Sequence, residues 1–398
     1  MEVTMQHMRF DIRDIFRSPR IALGIQRIWI QFLGLLVGYV GYLVFTYLSL
    51  LASGVGFSLA WKKYGLLPCL MPEAASWYSY IIFAIGALWL VAIYLISATA
   101  VSRATYMLVK GNHFYIWRDA IRFALKKSAS VLLSPLAIVI IVALVLVGGA
   151  VVGLLGKIPF VGALGLSLFT ILWFLAALFV VFLVIIFAVA MIQAPAIIAT
   201  TDDDAFEAVF QSFSMVWTQP WRLIFYELLS GILAIFAFFV LAFFAKKAFI
   251  VMENVLAASM GDNFINISSH AMYLLNVWLI QSVAWIDSIF GKCAPLIYFS
   301  RVFDPLVLPH GYQYVAAFIF TLSMLLIGGF IFSYGVASFN VGNTLAYIVL
   351  RKKKDNENLL ERKDAEEEEE EAEANADGET KPVDDAEKDK QSASSDES

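Results

Sequence analysis

Apolar residues crowd into six long runs, near residues 28–52, 77–100, 131–156, 162–195, 221–245 and 314–350, with charged segments between them. Each run is long enough to cross a hydrocarbon layer of about 30 Å as a helix, whose backbone then satisfies its own hydrogen bonds. The pattern predicts an all-α, polytopic transmembrane bundle of about six spans.

Two shorter stretches carry a helical period with a polar side. Residues 113–129 place Phe114, Trp117, Ile121, Ala124 and Leu125 on one face and Arg118, Arg122 and Lys126 on another. This is the pattern of an amphipathic helix lying at the membrane surface, its cations drawn to anionic lipid headgroups. Residues 204–217 predict a second such helix, opened by Asp204 and Glu207 at capping-box spacing. Each precedes a proline, Pro135 or Pro220, and then a span. Aligned at Asp119-Ala120-Ile121 and Glu207-Ala208-Val209, the two units read as a parallel repeat about a two-fold axis along the membrane normal.

Glycine spacing predicts helix seams at Gly149-x-x-x-Gly153 in span three and at Gly328, Gly335 and Gly342 in span six. The segment Gly156 to Phe160 turns spans three and four into an antiparallel hairpin. The outer segment, 246–313, is less regular. Its run 271–290 is apolar but broken by Asn276, Gln281 and Asp287, and suits an interfacial or re-entrant helix better than a seventh span.

Composition fits a chain solvated by lipid, with 60% hydrophobic and 15% charged residues. The net charge of −5 averages two unlike parts: 355–398 carries 19 acidic and 5 basic residues, whereas 1–354 carries 23 basic and 14 acidic. Within the body, 16 basic residues fall on one side of the predicted spans and seven on the other, which places both termini in the cytoplasm by the positive-inside rule. The first 26 residues are polar and Arg-rich, so span one is expected to act as an uncleaved anchor. From Arg351 the chain predicts a disordered acidic cytoplasmic tail, 351–398, with six consecutive glutamates from Glu366 to Glu371.

Cys69 and Cys293 both fall in segments placed outside, where they either pair across the two outer loops or stay single. The sequence predicts no catalytic, cofactor or metal site, because His7, His113, His270 and His310 are scattered and no nucleophile or phosphate-loop motif occurs. The chemistry that remains is intramembrane polarity, which is costly and therefore a functional candidate. Glu227 lies about 9 Å into span five. It reads either as an ion-coupling carboxylate or as the partner of Arg222 or Arg103. In span six Ser333, Ala337, Asn340, Thr344 and Tyr347 share a face, with Asn343 beside them.

The segments IPFVGALGLSLFTILWFLAALF, QAPAIIATTDDDAFEAVFQSFSMVWTQPWRLIFYELL and FSYGVASFNVGNTLAYIVLRKKKD, with Glu207-Ala208-x-x-x-Ser212 ahead of Trp221-Arg222, resemble a group of uncharacterised bacterial six-helix membrane proteins. The chain is more weakly similar to membrane domains attached to some glycerophosphodiester phosphodiesterases. The closer resemblance covers most of 90–355 and implies a bacterial inner (plasma) membrane location and six helices, but no activity. Together these readings favour a non-enzymatic scaffold or accessory subunit. It would meet membrane lipids and, through the outer segment or the tail, a protein partner, with no nucleic acid. The alternative is a transporter or channel for a small solute or lipid.

Overall fold

The computed structural model describes residues 8–69, 76–279 and 308–362. Among them no strand occurs. In chain order the helices are α1 (Ile12–Ile15), α2 (Ser18–Ala22), α3 (Ile25–Ala52), α4 (Phe57–Tyr64), α5 (Trp77–Lys110), α6 (Trp117–Lys126) and α7 (Ser128–Leu155). There follow α8 (Val161–Leu168), α9 (Thr170–Thr201), α10 (Ala205–Thr218), α11 (Pro220–Met260), α12 (Asp262–Trp278) and α13 (Gly311–Asp355), then a 3-10 turn at Leu359–Glu361. Six of these, α3, α5, α7, α9, α11 and α13, are long and apolar enough to cross a membrane. The protein is an all-α polytopic bundle, as the hydrophobic runs predict.

Both ends of the described chain gather on one face, which we call the terminal face. There Lys353 Nζ lies 3.1 Å from Asp11 Oδ1 and Arg362 Nη2 lies 3.2 Å from Asp203 Oδ1. The spans form three hairpins, α3–α5, α7–α9 and α11–α13. The second helices of the hairpins, α5, α9 and α13, pack against one another as an inner trio. Each first helix lies against two of them: α3 touches α5 and α13, and α7 touches α9 and α5. Helix α11 packs on α13 and reaches α9 through the Glu227–Gln193 hydrogen bond.

The amphipathic helices obey the same grouping. Helix α6 packs back on α5 and α3, and α10 packs back on α9 and α7. The units α5–α6–α7 and α9–α10–α11 share one order of elements, and the six spans group as three hairpins. Each inner helix ends on a left-handed residue, Gly111 (φ 103), Asp202 (φ 57) or Asn356 (φ 55), a conformation that satisfies terminal carbonyls and turns the chain. After two of these ends a side chain caps the next turn: Asp204 accepts from the Glu207 amide (3.1 Å) and Asn358 from the Leu360 amide (3.3 Å). Glu207 itself pairs with Gln211 rather than closing the capping box.

The terminal half is the packed half. Leu95, Val101, Tyr106, Ile197, Ile198, Val341, Tyr347 and Ile348 are all within one core and at most 1% exposed. In the far half of the α7–α9 hairpin, from Val139 to Phe182, no described side chain is buried.

Several boundaries differ from the sequence reading. Helix α7 begins at Ser128, so Pro135 lies inside it, whereas Pro220 opens α11. In α6 the buried face is Ala120, Phe123 and Ala124, while Phe114 and Leu125 are exposed. Its exposed Arg118, Arg122 and Lys126 stand on the outward side, with Arg118 over the Trp117 ring at 5.3 Å. The turn 156–160 leads into the short α8 before α9 begins. Residues 246–260 are not irregular but continue α11, and the chain then reverses at Gly261 into α12, which packs on α13 and α11. Of the run 271–290, the part to Trp278 belongs to α12; residues 280–307, Cys293 among them, lie outside the described residues. Cys69 is exposed.

At the far face the Leu66 amide donates to the Trp278 carbonyl (2.8 Å), and Tyr42 and Tyr47 of α3 donate to the Pro68 (2.8 Å) and Gly65 (2.6 Å) carbonyls. Gly65 has φ +55, and a Cβ there would meet the Trp278 carbonyl oxygen at 2.4 Å, so only glycine fits.

The expected boundary of the tail at Arg351 also moves. Helix α13 runs to Asp355, and Leu359 and Leu360 are buried at 0% and 4% exposure. Tyr106 OH donates to the Leu359 carbonyl (2.8 Å), Lys110 Nζ to the Arg362 carbonyl (2.7 Å), and Arg351 pairs with Glu357 at 2.9 Å. Burying each leucine contributes about 2 kcal/mol. Replacing both by serine is expected to free residues 356–362. Limited trypsin digestion should then cut at Arg351 to Lys354 several-fold faster than in the parent protein.

Candidate functional site

Polar side chains converge in the packed half, between the inner trio and the two helices that flank α13. On the α3 side the groups form a closed chain. Asn340 Nδ2 donates to Gln31 Oε1 (2.8 Å), Gln31 Nε2 to Ser97 Oγ (3.3 Å), Ser97 Oγ to the Tyr94 carbonyl (2.9 Å), and Tyr94 OH to Asn340 Oδ1 (3.2 Å). This ring joins α3, α5 and α13. Buried amides satisfied in this way tie helices together in an apolar surrounding.

The α11 side is different, because its polar atoms are buried without being satisfied. Gln193 Nε2 donates to Glu227 Oε1. Glu227 as a whole is half-buried, yet its Oε2 is enclosed and has no hydrogen-bond partner. Also enclosed and unpartnered are Gln193 Oε1, Ser230 Oγ, and both amide atoms of Asn343. Gln193 and Ser230 are 0% exposed and Asn343 2%.

Glu227, Gln193 and Ser230 lie along the contact of α9, α11 and α13, and Asn343 follows Gly342 on α13. Glu227 and Ser230 are three apart on α11 and so share a face, as Asn340 and Asn343 do on α13. Ser230 sits against Gly342: a Cβ on that glycine would meet Ser230 Oγ at 2.8 Å. Pro195, two residues beyond Gln193, lacks the amide that would bond the Met191 carbonyl, which leaves one more acceptor on α9.

Glu227 bonds to the Gln193 amide rather than to either basic residue weighed as its partner. Arg222 is exposed. Arg103 is fully buried, donates through Nη1 to the Ala199 carbonyl (3.1 Å), and stacks at 4.2 Å over the Phe123 ring. It thereby ties the end of α9 to α6.

Of the span-six stripe, Asn340 enters the closed ring and Asn343 the unsatisfied set. Ser333 bonds back to the Gly329 carbonyl (2.7 Å) and Thr344 to the Asn340 carbonyl (2.8 Å). Gln31, Tyr94, Gln193 and Ser230 are members that the sequence reading missed. Gln193 had a visible signal, a single amide in an apolar run just ahead of a proline. Among the described residues no three His, Cys, Asp or Glu side chains gather in metal-binding range. Comparison with family models, curated proteins and solved structures gives no match to this chain.

Proposed function

We propose that this protein is a non-enzymatic scaffold or accessory subunit of a bacterial inner membrane, with its terminal face in the cytoplasm. The far half of the α7–α9 hairpin carries this reading. Between Val139 and Phe182 its two helices bury nothing, and Leu144, Leu146, Val147, Phe174 and Leu175 are exposed. Gly148, Gly149 and Gly153 have open space where a Cβ would stand, so a further helix can approach the backbone there. The partner that suits this surface is a transmembrane helix of another protein. The exposed cations of α6 support the orientation, because they suit the anionic cytoplasmic leaflet.

Photo-crosslinking from Leu144 and Leu175 in native membranes tests this. A single protein adduct is expected, lost when Gly149 and Gly153 are both changed to leucine in a chain that stays monodisperse. Adducts to lipid alone would overturn the reading. A second reading, transport of a small solute, draws on the unsatisfied polar atoms beside Glu227.

A further inference from the structure

We infer that Glu227, Gln193, Ser230 and Asn343 together bind one alkali-metal cation. The inference is independent of the scaffold reading, since such an ion either moves or simply holds the helices together.

Buried polar atoms without partners cost free energy, and a native structure rarely tolerates several in one place. Here four oxygens are enclosed and unpartnered: Glu227 Oε2, Gln193 Oε1, Asn343 Oδ1 and Ser230 Oγ. One is a carboxylate, two are amide carbonyls and one is a hydroxyl. An all-oxygen set selects a hard cation over a transition metal, which would seek imidazole or thiolate. The charge selects further. The site holds a single carboxylate, with Arg103 turned to Ala199 and Arg222 exposed, so a monovalent ion neutralises it and a divalent ion would leave an excess positive charge in an apolar region.

The elements also suit the purpose. The four side chains come from α9, α11 and α13, so an ion among them would link one inner helix to the hairpin beside it. Gln193 is already oriented by its donation to Glu227, which leaves its carbonyl oxygen free for the cation. The satisfied ring at Gln31, Ser97, Tyr94 and Asn340 fixes the adjoining wall.

Equilibrium dialysis of the purified full chain against radioactive sodium and, separately, rubidium as a potassium tracer tests the inference. Ionic strength is held constant with choline chloride. Saturable binding of one ion per chain is expected, with the thermal midpoint rising in the bound alkali salt and not in choline. Glu227→Gln should weaken binding at least about tenfold, as loss of a charged ligand does. Ser230→Ala and Asn343→Ala should each weaken it several-fold, and these decide the matter if the Glu227 variant misfolds. Binding unchanged in all three variants, or no saturable binding of either ion, overturns the site. Stabilisation that follows pH alone, with no dependence on sodium or potassium, assigns the place to a proton and also overturns it.

Discussion

Arg103→Ala is expected to lower the thermal midpoint of the purified protein by roughly 10 °C, the largest effect of any single truncation in the terminal half. Arg103 is among the largest fully buried side chains of the described residues. It donates to the Ala199 carbonyl at 3.1 Å, where α9 ends, and its guanidinium lies 4.2 Å from the Phe123 ring of α6. Truncation removes the stack, leaves a buried carbonyl short of a donor, and opens a cavity among α5, α6 and α9. Losses of this kind cost about 3–5 kcal/mol, which in a chain of this size corresponds to a few degrees per kcal/mol. Arg103→Lys should not restore the midpoint, since an ammonium has neither the planar face nor the fork of donors. Arg222→Ala, at an exposed position, is the control and should change stability by no more than about 0.5 kcal/mol. Equal midpoints for the Arg103 and Arg222 variants, read by tryptophan fluorescence in detergent, would refute the assignment.

Gly34→Val should be the second severe change. A Cβ at Gly34 would lie 2.2 Å from the Cβ of Ser97, an atom fixed to the α5 backbone that no rotamer can move aside. Gly38 continues the same close approach, with Leu90 and Ile93 at 3.2 and 3.4 Å. Relief therefore requires α3 and α5 to separate, at a cost of about 1–3 kcal/mol or more for overpacking. Separation would also pull Gln31 from Ser97 and open the ring that includes Asn340. The comparison is Gly149→Val, where nothing stands within 4 Å; in the isolated chain that change should leave the midpoint almost unmoved. If both variants lose stability alike, the seam lies elsewhere than the α3–α5 contact.

The glycine contrast explains what was legible in the chain. Gly149-x-x-x-Gly153 has the spacing of a helix seam, yet among the described residues nothing stands within 4 Å of a Cβ at either glycine. Gly335 and Gly342 do pack, against Phe238 and Ser230, while Gly328 faces open space. The seam at Gly34 and Gly38 has the same four-residue spacing but was not singled out. Spacing states that a close approach is permitted; only the neighbour states that it occurs. The same holds for Glu227. Its cost in an apolar run is evident from the sequence, whereas its partner is an amide 34 residues away rather than either arginine.

The sequence by itself determined the class of solvent, the six spanning helices, the two amphipathic helices and the Asp204 cap, because these depend on hydrophobic period and on hydrogen bonds between near neighbours. It also marked Asn340 and Glu227 as costly. The tertiary structure decided which spans pack together as three hairpins, the continuation of α11 through Lys246 and Lys247 to Met260, and the burial of Leu359 and Leu360 beyond a cluster of four cations. It also decided which polar atoms are satisfied and which are not. Those outcomes depend on side chains brought together from distant parts of the chain, and in an apolar medium, where every helix is hydrophobic on nearly all sides, the period that marks a buried face in water carries too little information to foretell them.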